Sequence, residues 1–351
     1  MAKAELFKVS EPKWKKAFSR TKWILSSFYE QGRHYGLSNA FFGLLWWIGI
    51  YGRNPHLSVW AMRNMIKYLD MYLENKYSDI IERYSQSKQC GEYISVEDYP
   101  IWLFWWQGID NMPDIVRGCY NRIMANNRNV ILLSKDNFAQ YANIPKEICE
   151  KVARGELSYT HFSDILRLSL LAEKGGMWID TTCFNPYEIP VEAKQMVFCS
   201  PHDNIKQKHI KNNYSYFCDS GGWRSWNLGT CMKHNSIFMF CRDLIQAIAI
   251  KEKCLPNYFM VDLIMCYAYR KFHYAKKTID GMPDINTKCA DLFLNYFNKN
   301  KIYDEKEYNE LIKDNWLFKL TYKTVWQKKI DGKYTFFGKL FPDCQHTSPT
   351  I

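Results

Sequence analysis

Two charged residues three positions apart in an otherwise apolar stretch are the first chemistry this sequence offers. In His161-Phe162-Ser163-Asp164-Ile165-Leu166-Arg167-Leu168-Ser169-Leu170-Leu171, the residues Ile165, Leu166, Leu168, Leu170 and Leu171 leave almost no polar face, as expected of a buried helix. Asp164 and Arg167 share one side of such a helix. Burying two charges is costly unless partners satisfy them. They can pair with each other or with a neighbouring loop. They can instead bind the hydroxyls or phosphate of a ligand, with Ser163 beside them, because a planar guanidinium gives a phosphate two bonds at once. Shortly after comes Gly175-Gly176-Met177-Trp178-Ile179-Asp180-Thr181-Thr182. It reads as a tight helix-to-strand turn, a strand, and a carboxylate at the strand's end. One carboxylate plus pyrophosphate oxygens suits a hard cation, Mg²⁺ or Mn²⁺. That ion would neutralise charge growing on a departing nucleotide. Alone, an Asp at a strand end is explained by capping of the next turn; the preceding helix is what gives Asp180 weight.

Several elements must position these groups. Ile101-Trp102-Leu103-Phe104-Trp105-Trp106 is a continuous apolar run ending at Gln107-Gly108, a buried strand followed by a loop. Helical spacing over 112–124, with Pro113 suited to the first turn, leads to a second buried strand at Val130-Ile131-Leu132-Leu133. Ser158 can cap a helix over 159–174 that Gly175-Gly176 stops. Met177-Trp178-Ile179 is the third strand. Strand, helix, strand, helix, strand predicts an α/β fold with a mainly parallel sheet and helices on both faces. Ligands bind such sheets beyond the carboxyl ends of the strands, where Gln107, Gly108, Asp180 and the loop Thr181-Thr182-Cys183 fall. Trp105 and Trp106 are adjacent, so in a strand they face opposite sides: one belongs to the core and the other can serve as a stacking platform. The chain after 236 reads as helical to 273 and then irregular with short strands. Asp262, in an apolar helix, is either an acceptor-side acid or a satisfied core carboxylate. Gly221-Gly222-Trp223 lacks the strand-to-helix context of a phosphate loop, and no Ser/His/Asp arrangement is legible.

With 47% of its 351 residues apolar, the chain can bury a sizeable core, which excludes wholesale disorder. The 13 Trp, 24 Tyr and 21 Phe serve cores, but such rings also stack on bases and sugars and settle at membrane interfaces. A net charge of +11 attracts nucleic acid, anionic lipid or phosphorylated ligands without choosing among them, or simply aids solubility. No nucleic-acid-binding module or basic stripe is present, so nucleic acid is not an expected partner. Twelve Cys occur without a CxxC pair, so metal-site spacing is absent. The charged start has no following apolar stretch with a cleavage site, which, with reduced thiols, points to a cytoplasmic protein.

Residues 1–95 read as a helical segment and 96–351 as the catalytic domain. The apolar run from Ala40 to Tyr51 is about a dozen residues, against the roughly 20 a spanning helix needs. Upstream, Lys13, Lys15, Lys16, Arg20 and Lys22 are interleaved with Trp14 and Trp23. That mixture can hold a helix in the plane of an anionic leaflet; the alternative is a helical layer packed on the catalytic domain with Trp46 and Trp47 inside it.

The ordered set IWLFWWQG, MPDIVRGC, NVILLSKDN, IPKEI and HFSDILRLSLLAEKGGMWIDTT resembles the capsular polysaccharide synthesis protein family. That family is related to glycosyltransferases with a DxD motif, including yeast-type mannosyltransferases and the clostridial glucosylating toxins. The likeness spans about 98–245 and reaches more faintly to Tyr258-Phe259-Met260-Val261-Asp262 and Lys319-Leu320-Thr321-Tyr322-Lys323. It implies a GT-A fold, a nucleotide-sugar donor, Mn²⁺ or Mg²⁺, and transfer with retention of configuration. On this sequence it implies Trp105 stacking on the donor base and Ser163 at the ribose. Asp164 and Arg167 would meet the donor sugar, and Asp180 the metal and diphosphate. Asn227, in Trp226-Asn227-Leu228-Gly229, stands where relatives place a sugar-contacting Asn; Gln107, Gly108 and Gly176 complete the expected donor contacts. The second acid of the two-carboxylate motif is here Thr182. A hydroxyl is a poorer cation ligand than a carboxylate, so a basic side chain or a C-terminal group such as His346 could take part of the metal's place.

The expected activity is therefore transfer of a sugar from a nucleotide-diphosphate donor to a growing surface polysaccharide, capsule or lipopolysaccharide in type. The acceptor would be a glycan or lipid-linked glycan, with peripheral contact at the inner leaflet of the cytoplasmic membrane. A phosphosugar transferase of capsule synthesis would want the same basic site and metal, and phosphorus in its product would mark it. A non-catalytic membrane-surface protein would use the positive charge alone.

Overall fold

Alternation within the short apolar strands decides which layer each side chain enters. The computed structural model describes residues 13–201, 223–283, 285–286, 292–324 and 326–344. Four helices come first, α1 Lys13–Tyr35, α2 Leu37–Tyr51, α3 Pro55–Lys76 and α4 Ser78–Ser85, then β1 Glu92–Tyr93 and β2 Ile101–Phe104. There follow α5 Asp114–Asn126, β3 Val130–Leu133, α6 Lys146–Ala153, α7 Tyr159–Glu173, β4 Gly176–Ile179, β5 Cys183–Phe184 and α8 Val191–Lys194. After residue 223 come β6 Asn227–Thr230, β7 Met232–Lys233, α9 Ser236–Lys251, α10 Met260–Lys271 and α11 His273–Asp280. The last part holds α12 Leu292–Asn298, α13 Glu305–Ile312, β8 Phe318–Lys319, β9 Lys329–Ile330, β10 Lys333–Tyr334 and α14 Phe336–Leu340.

The main sheet has the order β3-β2-β4-β6. β2 is parallel to both β3 and β4, whereas β6 pairs antiparallel to β4, with Ile179 opposite Asn227. The chain is thus mixed α/β, with three parallel strands and one antiparallel edge. Trp102, Phe104, Trp178 and Leu228 point into the cluster shared with α7, α9 and α10. Ile101, Leu103, Met177 and Ile179 point the other way, toward Ile123 of α5. Period-two alternation on a sheet covered on both faces produces this division. α5 is buried on its other side by an aromatic cluster that includes Phe293, Phe318, Phe336 and Phe337.

Gly175 and Gly176 explain the abrupt reversal from α7 into β4. Their φ values are 65° and 88°, in the region that penalises any side chain. A Cβ on Gly176 would also collide with the Pro100 carbonyl oxygen where β4 enters beside β2, and one on Gly175 with the Met232 carbonyl.

The first helices are joined to the rest of the chain. Trp46, Met65, Leu69 and Leu73 belong to the same buried cluster as Phe240, Leu244 and Tyr267, and Arg270 of α10 binds Asp70 of α3 through both carboxylate oxygens, at 2.7 and 2.8 Å. Beside them, Glu252 accepts from Tyr72 (2.5 Å) and Tyr77 (2.8 Å) and pairs with Lys76 at 2.6 Å. Lys151 donates to the carbonyls of Ala249 and Glu252 at the end of α9 (2.7 and 2.6 Å), where carbonyls lack helical partners.

The outward face of this layer is apolar. Leu37, Phe41, Ile48 and Tyr51 of α2 are exposed, with half-buried Leu44 between them; their spacing of three, four and seven residues is one helical stripe. Trp60, Tyr68 and Met71 on α3 continue it, with exposed Arg53, Arg63 and Lys67 alongside. Phe42 joins the two helices, 5.4 Å from Trp60 and 5.7 Å from Tyr68 between ring centres. Among the described residues no helix is long and apolar enough to cross a membrane.

Candidate functional site

The reach of one guanidinium gathers the carboxyl end of the sheet. α7 begins where Ser158 accepts from the His161 N–H at 3.2 Å, a side-chain N-cap. About two turns on, Arg167 leaves the helix toward the end of β4 and lies over the Trp178 ring, 4.9 Å from its centre. Its Nη2 is 3.3 Å from Asp164 Oδ1 and 3.2 Å from Asp180 Oδ1, and its Nη1 donates to the Ser225 carbonyl at 2.6 Å. Trp178 Nε1 donates to the same Asp180 oxygen at 3.0 Å.

The other Asp180 oxygen is held from the far end of the chain. β8 pairs with β5 so that Lys319 stands opposite Cys183, and Leu320 N–H donates to the Thr182 carbonyl at 2.9 Å. Lys319 Nζ then donates to Asp180 Oδ2 at 2.5 Å and to Thr182 Oγ1 at 2.9 Å. A third carboxylate, Asp262 at the start of α10, accepts from Ser225 Oγ at 3.1 Å. Solvent reaches this cluster at Asp180 and Lys319, whose side chains are 27% and 26% exposed. Asp164 and Arg167, at 10% and 6%, lie behind them.

These surroundings separate the three acids. Burial pushes Asp164 up to about 7 against the pull of Arg167, and the nearby Asp262 and Asp180 charges add to the rise. Burial likewise lifts Asp262 to about 6, opposed by the Ser225 hydrogen bond and Arg167. For Asp180 burial acts in the same direction, but Lys319 and Arg167 outweigh it and hold the carboxyl below its ordinary value. Lys319 is in turn kept protonated, because attraction to Asp180 exceeds the effect of its burial. One carboxylate is thus firmly ionised while another titrates near neutrality, the division of roles that acid–base and electrostatic chemistry need.

Asp164 makes a testable contribution to stability. Between its ordinary 3.8 and about 7, the folded chain keeps a proton that the unfolded chain has released. Its contribution to stability therefore falls as pH rises through that window and is level above it. Asp164→Asn removes this penalty. We expect the variant to melt higher than the parent at pH 8, with the difference fading toward pH 4 in thermal denaturation followed by circular dichroism; a difference independent of pH would remove burial as the cause.

Asp164, Arg167, Asp180 and Thr182, predicted from sequence, come together. Gln107 is exposed and Gly108 is half-buried with φ 79° at the end of β2. Ser163 is half-buried next to Asp164. Trp106 stacks on Tyr159 (4.6 Å between centres) and meets Phe162 in the core, whereas Trp105 faces the opposite side, edge-on to Tyr322 at 5.6 Å. Trp105 is therefore the member of the pair on the Lys319–Tyr322 side. Two expected donor contacts are taken up by the packing of the strands. Gly176 begins β4, a strand's length (~10 Å) from Asp180, and close backbone crossing accounts for it. Asn227 is wholly buried, and its Nδ2 donates to the Trp178 carbonyl at 2.9 Å, so it fastens β6 to β4. His346, Gly221 and Gly222 lie outside the described residues. Lys319, Ser225 and Trp178 were not among the sequence candidates; Trp178 lies within the GGMWIDTT stretch and Lys319 within the faint likeness around Lys319–Lys323, while nothing pointed to Ser225.

The donor set fits a divalent ion poorly. Among the described residues no three His, Cys, Asp or Glu side chains are grouped to hold one. Both Asp180 oxygens and the Thr182 hydroxyl already face cationic or N–H donors, and a positive charge added to Arg167 and Lys319 there would be repelled.

The family model described as capsular polysaccharide synthesis protein matches residues 57–340. A search of curated proteins finds no match.

Proposed function

Because this chain belongs to the capsular polysaccharide synthesis protein family, we propose that it is a glycosyltransferase of capsule-type polysaccharide synthesis. It takes a sugar from a nucleotide-diphosphate donor, in a GT-A-like site, and passes it to the growing glycan with retention. The observation that carries this reading is the Asp164–Arg167–Asp180 cluster at the carboxyl end of β4, where open sheets bind ligands. Asp180 faces the donor, Arg167 and Asp164 form the floor behind it, and Trp105 offers a ring for the base. This reading invokes no enzymatic nucleophile. The acceptor hydroxyl attacks on the face that the diphosphate leaves and passes its proton to the departing phosphate oxygen, while the protein positions the partners and stabilises charge. A panel of nucleotide sugars tests this directly: one donor should raise the melting temperature and be hydrolysed or transferred, while oligonucleotides do neither. Indifference to every donor would overturn the reading.

The apolar stripe of α2 and α3 supports peripheral docking on an anionic membrane surface, the partner that suits exposed aromatic rings flanked by Arg53, Arg63 and Lys67. A lipid-linked acceptor would be met on that surface, at the cytoplasmic leaflet.

A further inference from the structure

The Thr that replaces the second acid of the two-carboxylate motif has a structural counterpart. Lys319 Nζ sits between Asp180 Oδ2 and Thr182 Oγ1, at 2.5 and 2.9 Å, which is where an ion shared by the two side chains would lie. We propose that the Lys319 ammonium is the built-in cation of the donor site, binding the diphosphate in place of a divalent metal. This inference rests on the donor-site reading above.

Three features of the chain carry it. An ammonium has three donors; two are engaged by Asp180 and Thr182, and the third has no partner among the described residues. The side chain is 26% exposed, so it borders the open side of the cluster, and its position is fixed by its neighbours. The β5–β8 pairing sets Lys319 opposite Cys183, and the Trp226 ring lies 5.8 Å from Nζ. Last, Thr182 is neutral. A second carboxylate would offer an ion two charges and would crowd the ammonium's surroundings with acid, whereas a hydroxyl accepts one hydrogen bond and leaves the positive charge available to phosphate. In the transfer step, the bond between the anomeric carbon and the diphosphate oxygen breaks, and its electron pair stays on that oxygen. The acceptor oxygen forms the new bond to the same carbon, and its proton passes to the released diphosphate. Lys319 remains protonated throughout and meets the charge that grows on the leaving group.

The test uses the full-length protein and isothermal titration with nucleoside mono- and diphosphates of the four common bases, each in EDTA and in Mn²⁺. The expected result is that one diphosphate binds with the same affinity, within about twofold, in both buffers. Lys319→Met should then weaken diphosphate binding by at least about 30-fold, the usual scale for losing one member of a buried charged pair. It should leave the monophosphate much less affected, so the ratio between the two collapses; a merely structural lysine would weaken both alike. Lys319→Arg keeps the charge, guards against misfolding of the Met variant, and should retain most of the affinity. A diphosphate that binds only with Mn²⁺, or a Met variant that binds as the parent does, overturns the proposal while leaving the donor site standing. Absence of binding by any nucleotide in either buffer overturns both.

Discussion

Asp180→Asn should reduce turnover by about 10²- to 10³-fold while the protein stays folded and nucleoside diphosphate binds no more weakly than before. The loss follows from what the carboxylate faces. In a retaining transfer the anomeric carbon gains positive charge before the acceptor bond is complete, and a fixed anion beside it is worth the two to three orders of magnitude typical of such preorganised groups. The ground state behaves differently, because a carboxylate close to a diphosphate repels it; the amide relieves that repulsion and frees Arg167 and Lys319 to meet phosphate. Fold retention is expected because Asp180 is 27% exposed, the amide keeps its size and an oxygen that can still accept hydrogen bonds, and Asp164 remains beside Arg167. Steady-state kinetics on the identified donor, with calorimetric binding of the diphosphate, separate the two effects. Turnover near that of the parent would take Asp180 out of the mechanism. Equal loss of binding and turnover would make it a scaffold for its neighbours.

The second large effect concerns the outer face of the helical layer. Replacing Phe41, Ile48 and Trp60 together by Ser should lower partitioning onto vesicles containing anionic phospholipid by at least about 100-fold, since each large apolar side chain buried in the interface contributes about 1.5–3 kcal/mol. These residues are about half exposed, so turnover on a water-soluble acceptor should stay near the parent value, while loss of the Phe42–Trp60 contact should lower the melting temperature by only a few degrees. Binding of the unaltered protein should also weaken with salt, because Arg53, Arg63 and Lys67 each add attraction that ions screen. Cosedimentation with neutral and anionic vesicles reads both terms. If the unaltered protein ignored vesicles and instead formed dimers that the triple substitution dissolved, the stripe would be an interface between copies.

The parts of this molecule governed by local rules were legible in its sequence. Ser158 capped α7 as its position foretold, the Gly175-Gly176 pair ended it, and the apolar runs 101–106, 130–133 and 177–179 became the four-residue strands β2, β3 and β4. Asp164, Arg167 and Asp180 followed, because a helix and the strand after it fix their separation. What escaped depends on pairing across distance. Lys319 meets Thr182 from 137 positions away, on a strand of two residues whose hydrophobicity carries no period. The antiparallel edge β6 enters after residues 202–222 and reverses the direction of the preceding strands for tertiary reasons alone. Asn227, expected at the donor by likeness to other chains, and Gly176, expected there with it, are surrounded here by the inside of the sheet and a backbone crossing.

Glu252, with Tyr72, Tyr77 and Lys76 closed around it and Arg270 clamped on Asp70 nearby, gives the helical layer a stiff mounting. A stiff mounting acts as a gauge. With the outer stripe resting on a bilayer, the opening at Asp180 and Lys319 would stand at one height above the lipid, and only hydroxyls carried at that height would meet the donor. Selection among acceptors would then depend on the length of the spacer between lipid and sugar as much as on the shape of the cleft that receives it.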